Sequence, residues 1–130
     1  MLERLKFNIN LVPRTKKNSQ RIIVNRKTNR PMIIASNAYK EYEGAAGYFL
    51  KGKGMKIDHP VNVKAVYYMP NKRRVDLTNL NEALHDILVK YDVLEDDNYK
   101  IIASTDGSSV HVDRNNPRTE VTIEKIEVTE

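Results

Sequence analysis

The sequence predicts a single α+β domain in which a mixed β-sheet carries two main helices, in the order β-β-β-α-β-α-β-β. Three observations lead there. Apolar residues alternate with polar ones near both ends of the chain, the period of a half-buried strand. Two internal stretches repeat apolar residues at three- and four-residue intervals, the period of a helix. Gly-, Asn- and Pro-containing breaks separate these stretches, with no internal repeat and no linker. At 130 residues, one domain spanning 1–130 is long enough to bury a core without disulfide staples.

Leu5, Phe7, Ile9 and Leu11 alternate with Lys6, Asn8 and Asn10 and give a first strand that ends at Pro13. From Arg14 to Gln20 there is no apolar residue, so this stretch reads as a loop. Arg21–Val24 and Pro31–Ile34 flank Asn25-Arg26-Lys27-Thr28-Asn29-Arg30 and form a hairpin with a basic tip. Ser36 or Asn37 caps a helix in which Tyr39, Tyr42, Ala46, Phe49 and Leu50 recur at helical spacing, until Gly52 and Gly54 stop it. Val61 to Met69 is β-branched and aromatic, closed by Pro70, and reads as a central strand. Asp76 sits at the N-cap of the second helix, whose residues Leu77, Leu80, Leu84, Ile87, Leu88 and Tyr91 fall on one stripe. Thr78, Glu82 and His85 share the side away from that stripe, with Asn79 and Asp86 beside them. Tyr99–Thr105 and Val110–Val112 form strands around the turn Asp106-Gly107-Ser108-Ser109. After a turn at Asn115-Asn116-Pro117, Val121, Ile123, Ile126 and Val128 make the final strand.

Composition narrows the function. There is no cysteine, which removes disulfides, thiolate nucleophiles and Cys-rich zinc sites and suits a reducing cytosol. No apolar run approaches the roughly 20 residues of a membrane span, and the N-terminus lacks the apolar core of a signal peptide, so a soluble cytoplasmic protein is expected. The net charge of +5 is unevenly placed. Between Arg4 and Lys40 lie ten Lys or Arg and no Asp or Glu, so residues 1–40 carry +9 and the remaining ninety carry −4. That polarity suits a polyanionic partner, nucleic acid above all, although a solvated basic face has the same composition.

Two acidic clusters lie about twenty residues apart, with Asp76 just after Lys72-Arg73-Arg74 and Glu95-Asp96-Asp97 beyond the second helix. Carboxylates hold hard divalent cations, and Arg and Lys hold phosphates, so the pairing suits metal-assisted chemistry on a phosphodiester. Each residue also has a plainer reading. Asp76 serves as a helix cap, the basic triplet as a solubilising turn, and His85 as a solvated side chain on a polar helix face. His59 and His111 flank no acidic cluster. There is no Gly-rich phosphate loop and no calcium-binding loop spacing.

Geometry limits how the acids meet. A helix from Leu77 to Tyr91 is about 21 Å long and carries the chain away from Asp76, whereas the residues from Tyr91 to Asp97 span at most about 20 Å. Either Val93-Leu94 is laid back along the helix, or the acids of one subunit approach Asp76 of another in an antiparallel dimer.

Arg73-Arg74-Val75-Asp76-Leu77-Thr78-Asn79-Leu80, then Asp86-Ile87-Leu88, then Leu94-Glu95-Asp96-Asp97, resembles the RusA-type Holliday-junction resolvases. That family reads Arg-Arg-x-Asp-Leu-Asp-Asn-Leu, then Asp-Ala-Leu, then Asp-Asp, at the same spacings. The resemblance is clearest over residues 69–98 and extends loosely to Pro13 with Lys17-Asn18 and to the β-rich C-terminus. It implies a homodimeric endonuclease, bacterial or phage-encoded, that uses Mg²⁺ or Mn²⁺ and no small-molecule cofactor. Such an enzyme binds four-way or other branched DNA and nicks two strands symmetrically. Asp76 and Asp97 match family metal-binding aspartates and Asp96 is the neighbouring acid of that pair. Arg73, Arg74 and Lys72 would face phosphate, and a basic arm of Arg14, Lys16, Lys17, Arg21, Arg26 and Lys27 would spread over the DNA. Two positions depart from the pattern, Thr78 for an Asp and Glu82 for a Lys. Glu82, one turn along the same face, is a candidate to return the missing carboxylate. The competing reading is a non-catalytic DNA-binding accessory protein. A nuclease for other branched or single-stranded substrates is a third.

Overall fold

The computed structural model describes residues 3–16, 20–35 and 37–127. Its order is β-β-β-α-β-α-β-β-β, one strand longer than the order drawn from the sequence but matching the nine segments read there singly: β1 (Arg4–Ile9), β2 (Gln20–Asn25), β3 (Arg30–Ala35), α1 (Asn37–Phe49), β4 (Val61–Met69), α2 (Leu77–Lys90), β5 (Ile102–Ser104), β6 (Ser109–Val112) and β7 (Arg118–Lys125). Ser36, Lys17 and Val128 lie outside the described residues.

The main sheet runs β1-β7-β4, with β5 and β6 in turn on the outer edge of β4. β7 is antiparallel to both neighbours, pairing Phe7 with Val121 and Val121 with Ala65. This register aligns Leu5, Phe7 and Ile9 with Ile123, Val121 and Thr119, and those with Val63, Ala65 and Tyr67. Side chains alternate across a strand, so these nine share one face. All but Leu5 are buried. Both helices close that face: Tyr39, Tyr42 and Ala46 enter the core from α1, and Leu80, Ala83, Leu84, Ile87 and Leu88 from α2. Each large apolar side chain so buried contributes about 1.5–3 kcal/mol. The other face is polar, with Lys6, Asn8, Glu124 and Lys64. The hairpin β2–β3 is a separate two-stranded sheet, whose turn is tied by the Asn25 side-chain oxygen accepting from the Lys27 and Thr28 amides.

The expected strand Tyr99–Thr105 is confined to Ile102–Ser104, and two further boundaries differ from expectation. β1 stops at Ile9, because the Leu11 amide folds back onto the Ile9 carbonyl at 2.9 Å, a three-residue turn that sends Pro13 into the interior. β7 stops at Lys125, because Ile126 leaves the ladder and donates to the Pro60 carbonyl at 3.0 Å. The turn expected at Asp106-Gly107 is present and does not reverse the chain: β5 and β6 both run parallel to β4. From Asn62 to Val66 β4 advances four residues while its edge partner advances five, so the turn is an outward bulge in an interrupted edge strand. Asn62 organises it, accepting from the Ser104 hydroxyl and Asp106 amide and donating to the Asp106 carbonyl.

Candidate active site

β1 and β4 run in the same direction, so the turn after β1 and the turn after β4 emerge at one end of the sheet. There Val12 to Thr15 line a common cavity with Met69 to Asn71 and Arg73 to Val75, which brings Arg14 beside Arg73 and Arg74. On its other side the Lys72–Val75 turn shares a groove with His111 and Val112 of β6. Lys72, Arg73 and Arg74 are exposed, and the turn is shaped by the Arg73 amide donating to the Asn71 side chain at 2.9 Å. Val75 and Leu77 are half-buried and fasten the segment to the core on either side of Asp76.

Asp76 occupies the N-cap of α2 in extended conformation. Its backbone carbonyl receives the Asn79 and Leu80 amides, both at 3.1 Å, but its carboxylate makes no capping bond. That corrects the simple-cap reading. The carboxylate accepts one hydrogen bond, from the Asn79 side chain at 3.3 Å, and is otherwise open to solvent at the positive end of the helix dipole. The rotation of α2 is fixed by Tyr67, whose buried hydroxyl donates to Asn81 at 2.7 Å.

The second acidic cluster returns along the helix. Asp92 adopts a positive φ of 61°, and the Val93 and Leu94 amides close onto the Leu88 carbonyl. Both side chains are fully buried, and Glu95 and Val93 bond to Ile57. Leu94 and Ile101 thus hold the two ends of an exposed loop, within which Asp96 accepts from the Asp97 amide at 2.7 Å and the Asn98 side chain at 3.1 Å. Asp97 comes near His85, whose pKa burial depresses while the charges of Asp97 and Asp86 partly offset the depression. His85 is half-buried, not solvated, and its Nε2 is enclosed with no hydrogen-bond partner among the described residues. Its place on the Thr78–Glu82 face was visible in the sequence; its enclosure depends on the return loop and was not.

His85 lies nine residues along α2 from Asp76, roughly 13 Å on the axis. Among the described residues no three His, Asp or Glu are close enough to cage a metal. The exposed oxygen donors at Asp76, Asp96 and Asp97 nevertheless suit Mg²⁺ or Mn²⁺ of the kind held by one or two carboxylates with phosphate and water. Glu82 is exposed on α2. Of the basic arm, Arg14 joins the site, Lys16 is paired with Asp86, Arg26 and Lys27 stand exposed on the hairpin turn, and Arg21 belongs to β2.

One cluster has no signature in the sequence. Arg118 lies 3.8 Å over the Tyr68 ring, bonded to Asp113 at 3.0 Å and Glu120 at 2.9 Å, and Tyr68 stacks on His111 at 5.5 Å. These residues meet only through strand register, and His111 carries the stack to the groove behind Arg73 and Arg74.

The architecture defines a small α+β protein with a mixed sheet, presenting the Asp76 carboxylate and a basic cluster where strand β4 passes into helix α2. Residues 7–124 match the family described as Endodeoxyribonuclease RusA, and the chain belongs to that family of DNA endonucleases. No curated protein matches it significantly. No helix among the described residues is long and apolar enough to cross a membrane.

Proposed function

We propose that the protein is a cytoplasmic, Mg²⁺-dependent endonuclease that resolves four-way DNA junctions by paired symmetric nicks, acting as a homodimer. The observation that carries the reading is the open, non-capping carboxylate of Asp76, which follows Arg73 and Arg74 in the chain where those two share a cavity with Arg14, in a chain of the RusA endodeoxyribonuclease family. Asp76 and Asp97, with Asp96 or Glu82, would hold the cation. Mg²⁺ bound there supplies a water of lowered pKa and neutralises charge on the scissile phosphate.

The chain's own residues do the rest. Arg73 and Arg74 reach phosphate oxygens with forked guanidinium groups and stabilise charge developing on them. Arg14 approaches the same cavity from β1 and orients the backbone of the strand to be cut. This arginine cluster takes the charge-stabilising part that Glu82, standing where the family has Lys, does not. A two-fold dimer suits a four-way junction because two identical sites reach two matching strands.

The test is cleavage of four-way, three-way and linear DNA in Mg²⁺ by the wild type and Asp76→Asn. Preferential nicking of the four-way junction, lost in Asp76→Asn with binding retained, is the expected result. Failure of the wild type to nick it, or equal nicking by Asp76→Asn, would defeat the proposal. Tight junction binding without any metal-dependent nicking would instead identify an accessory binder.

A further inference from the structure

Strand β1 is an edge of the main sheet, since among the described residues it pairs only with β7. A groove lies along that edge, between the strand and the end of α1. Lys6, Phe7 and Asn10 line one side, and Tyr48, Lys51 and Lys53 the other. The charged side chains lining it are all lysines, and among the described residues none of the three is in an ion pair. Lys51 lies 5.1 Å from the Tyr48 ring centre and Lys53 5.8 Å from that of Phe7. Tyr48 is 69% exposed, a large aromatic surface to leave in water. Phe49 supports it edge-on at 5.3 Å, which fixes its plane.

From the nuclease reading and this groove, we infer that the β1 edge binds an unpaired stretch of the DNA substrate, with Tyr48 stacking on a base and Lys6, Lys51 and Lys53 on the backbone. The chemistry is that of single-strand binding surfaces, a cationic track with an aromatic platform that accepts any base. Continuity with the candidate active site favours this occupant. β1 runs from the groove toward Asn10 and on to Arg14, which shares its cavity with Arg73 and Arg74, so a strand leaving the site can follow lysines along the sheet edge. From Lys6 to Arg14 the chain spans at most about 28 Å, a few nucleotides in length. A second copy of the chain laid on this edge would bring lysines against lysines. An acidic peptide adding a strand to β1 satisfies the charge but leaves the Tyr48 face unused.

Fluorescence anisotropy with a labelled oligothymidylate, at several salt concentrations, tests the inference in the full chain. Replacing Lys6, Lys51 and Lys53 together by Gln should lower the log–log salt slope by about two, since each neutralised single-strand phosphate contributes roughly 0.7. Tyr48→Ala should weaken binding roughly five- to 150-fold, and Arg in place of Gln at the three lysines should restore the salt slope, which separates lost charge from lost folding. Unchanged affinity and slope in the Gln and Ala variants overturn the inference while leaving junction cleavage by the wild type as the separate measure of the nuclease reading. So do a wild type that binds no oligothymidylate, a polyglutamate probe held more tightly than the oligonucleotide, and a dimer lost in the lysine variant with DNA binding unaltered.

Discussion

Asp76 offers a way to separate chemistry from stability, because its carboxylate stands at a helix N-cap without capping. Replacing a working cap by Ala costs about 1 kcal/mol, with a range of 0.5–2. Here the backbone carbonyl of residue 76 receives the first helical amides, and any residue supplies that group. What Asp76→Ala removes is one 3.3 Å contact with the exposed Asn79 side chain and one negative charge at the helix N-terminus, worth about 0.3–1 kcal/mol at low salt and less at physiological ionic strength. The expected loss is therefore about 0.5 kcal/mol, a change in Tm of about 2 °C for a domain of this size. Asp76→Ser, whose hydroxyl reaches a backbone amide more readily, should match or exceed the wild type in stability. Cleavage should fall in both variants by more than about a hundred-fold, since losing even an outer partner of a metal ligand costs about 10–100-fold. Urea titration and a single-turnover junction-nicking assay on the same preparations give the two numbers. A stability loss of 2 kcal/mol with cleavage falling only in proportion to the unfolded fraction would show that Asp76 is structural after all.

Neutralising Arg73 and Arg74 together to Gln should lower the salt slope of duplex-arm binding by about 1.8, at about 0.9 per phosphate contact, as measured by anisotropy; an unchanged slope would assign them to the turn alone. Gly47→Ala should destabilise the protein by about 1–3 kcal/mol although Ala favours a helix over Gly by about 1, because the new methyl would lie 2.7 Å from the Tyr91 ring whose hydroxyl bonds the Glu43 carbonyl at 2.8 Å. Combined with Tyr91→Ala the same substitution should cost less, and additive losses in urea unfolding would contradict that contact. Alkali should weaken the fold. Burial pushes the Tyr42 hydroxyl from 10.0 up to about 12 and Tyr67 also upward, so their contribution is complete below pH 10, where the unfolded chain begins to ionise, and is lost as pH rises toward the folded value. Urea midpoints across that range should fall in the wild type, and a flat profile would contradict the burial of these phenols.

What the sequence made legible was what local periodicity encodes. The α2 stripe predicted from Leu80, Leu84, Ile87 and Leu88 is the stripe the core buries, and the alternation of Leu5, Phe7 and Ile9 gives the packed face of β1. The errors sit where tertiary partners override local signals. Asp106-Gly107 is the turn its composition predicts, but its shape is set from afar: the side chain of Asn62, more than forty residues earlier, holds it as a bulge so that both flanking strands extend one parallel edge. Leu11 continues the period of β1 but lies past a three-residue turn, and it is this turn that swings Arg14 toward Arg73 and Arg74. The candidate site follows the same division. Its motif was readable because Asp76 and the basic triplet adjoin in sequence. Its enclosure was not, because Asp97 comes within electrostatic reach of His85 only through a chain turn at Asp92 and the burial of Val93 and Leu94. Burying those two side chains fixes the loop root, while Asp96 and Asp97 remain exposed, with Asp96 accepting from the Asp97 amide and the Asn98 side chain. A loop anchored at both ends and open between them can change shape at the cost of a few exposed hydrogen bonds and none of the core, which is what the proposed metal site would ask of Asp96 and Asp97.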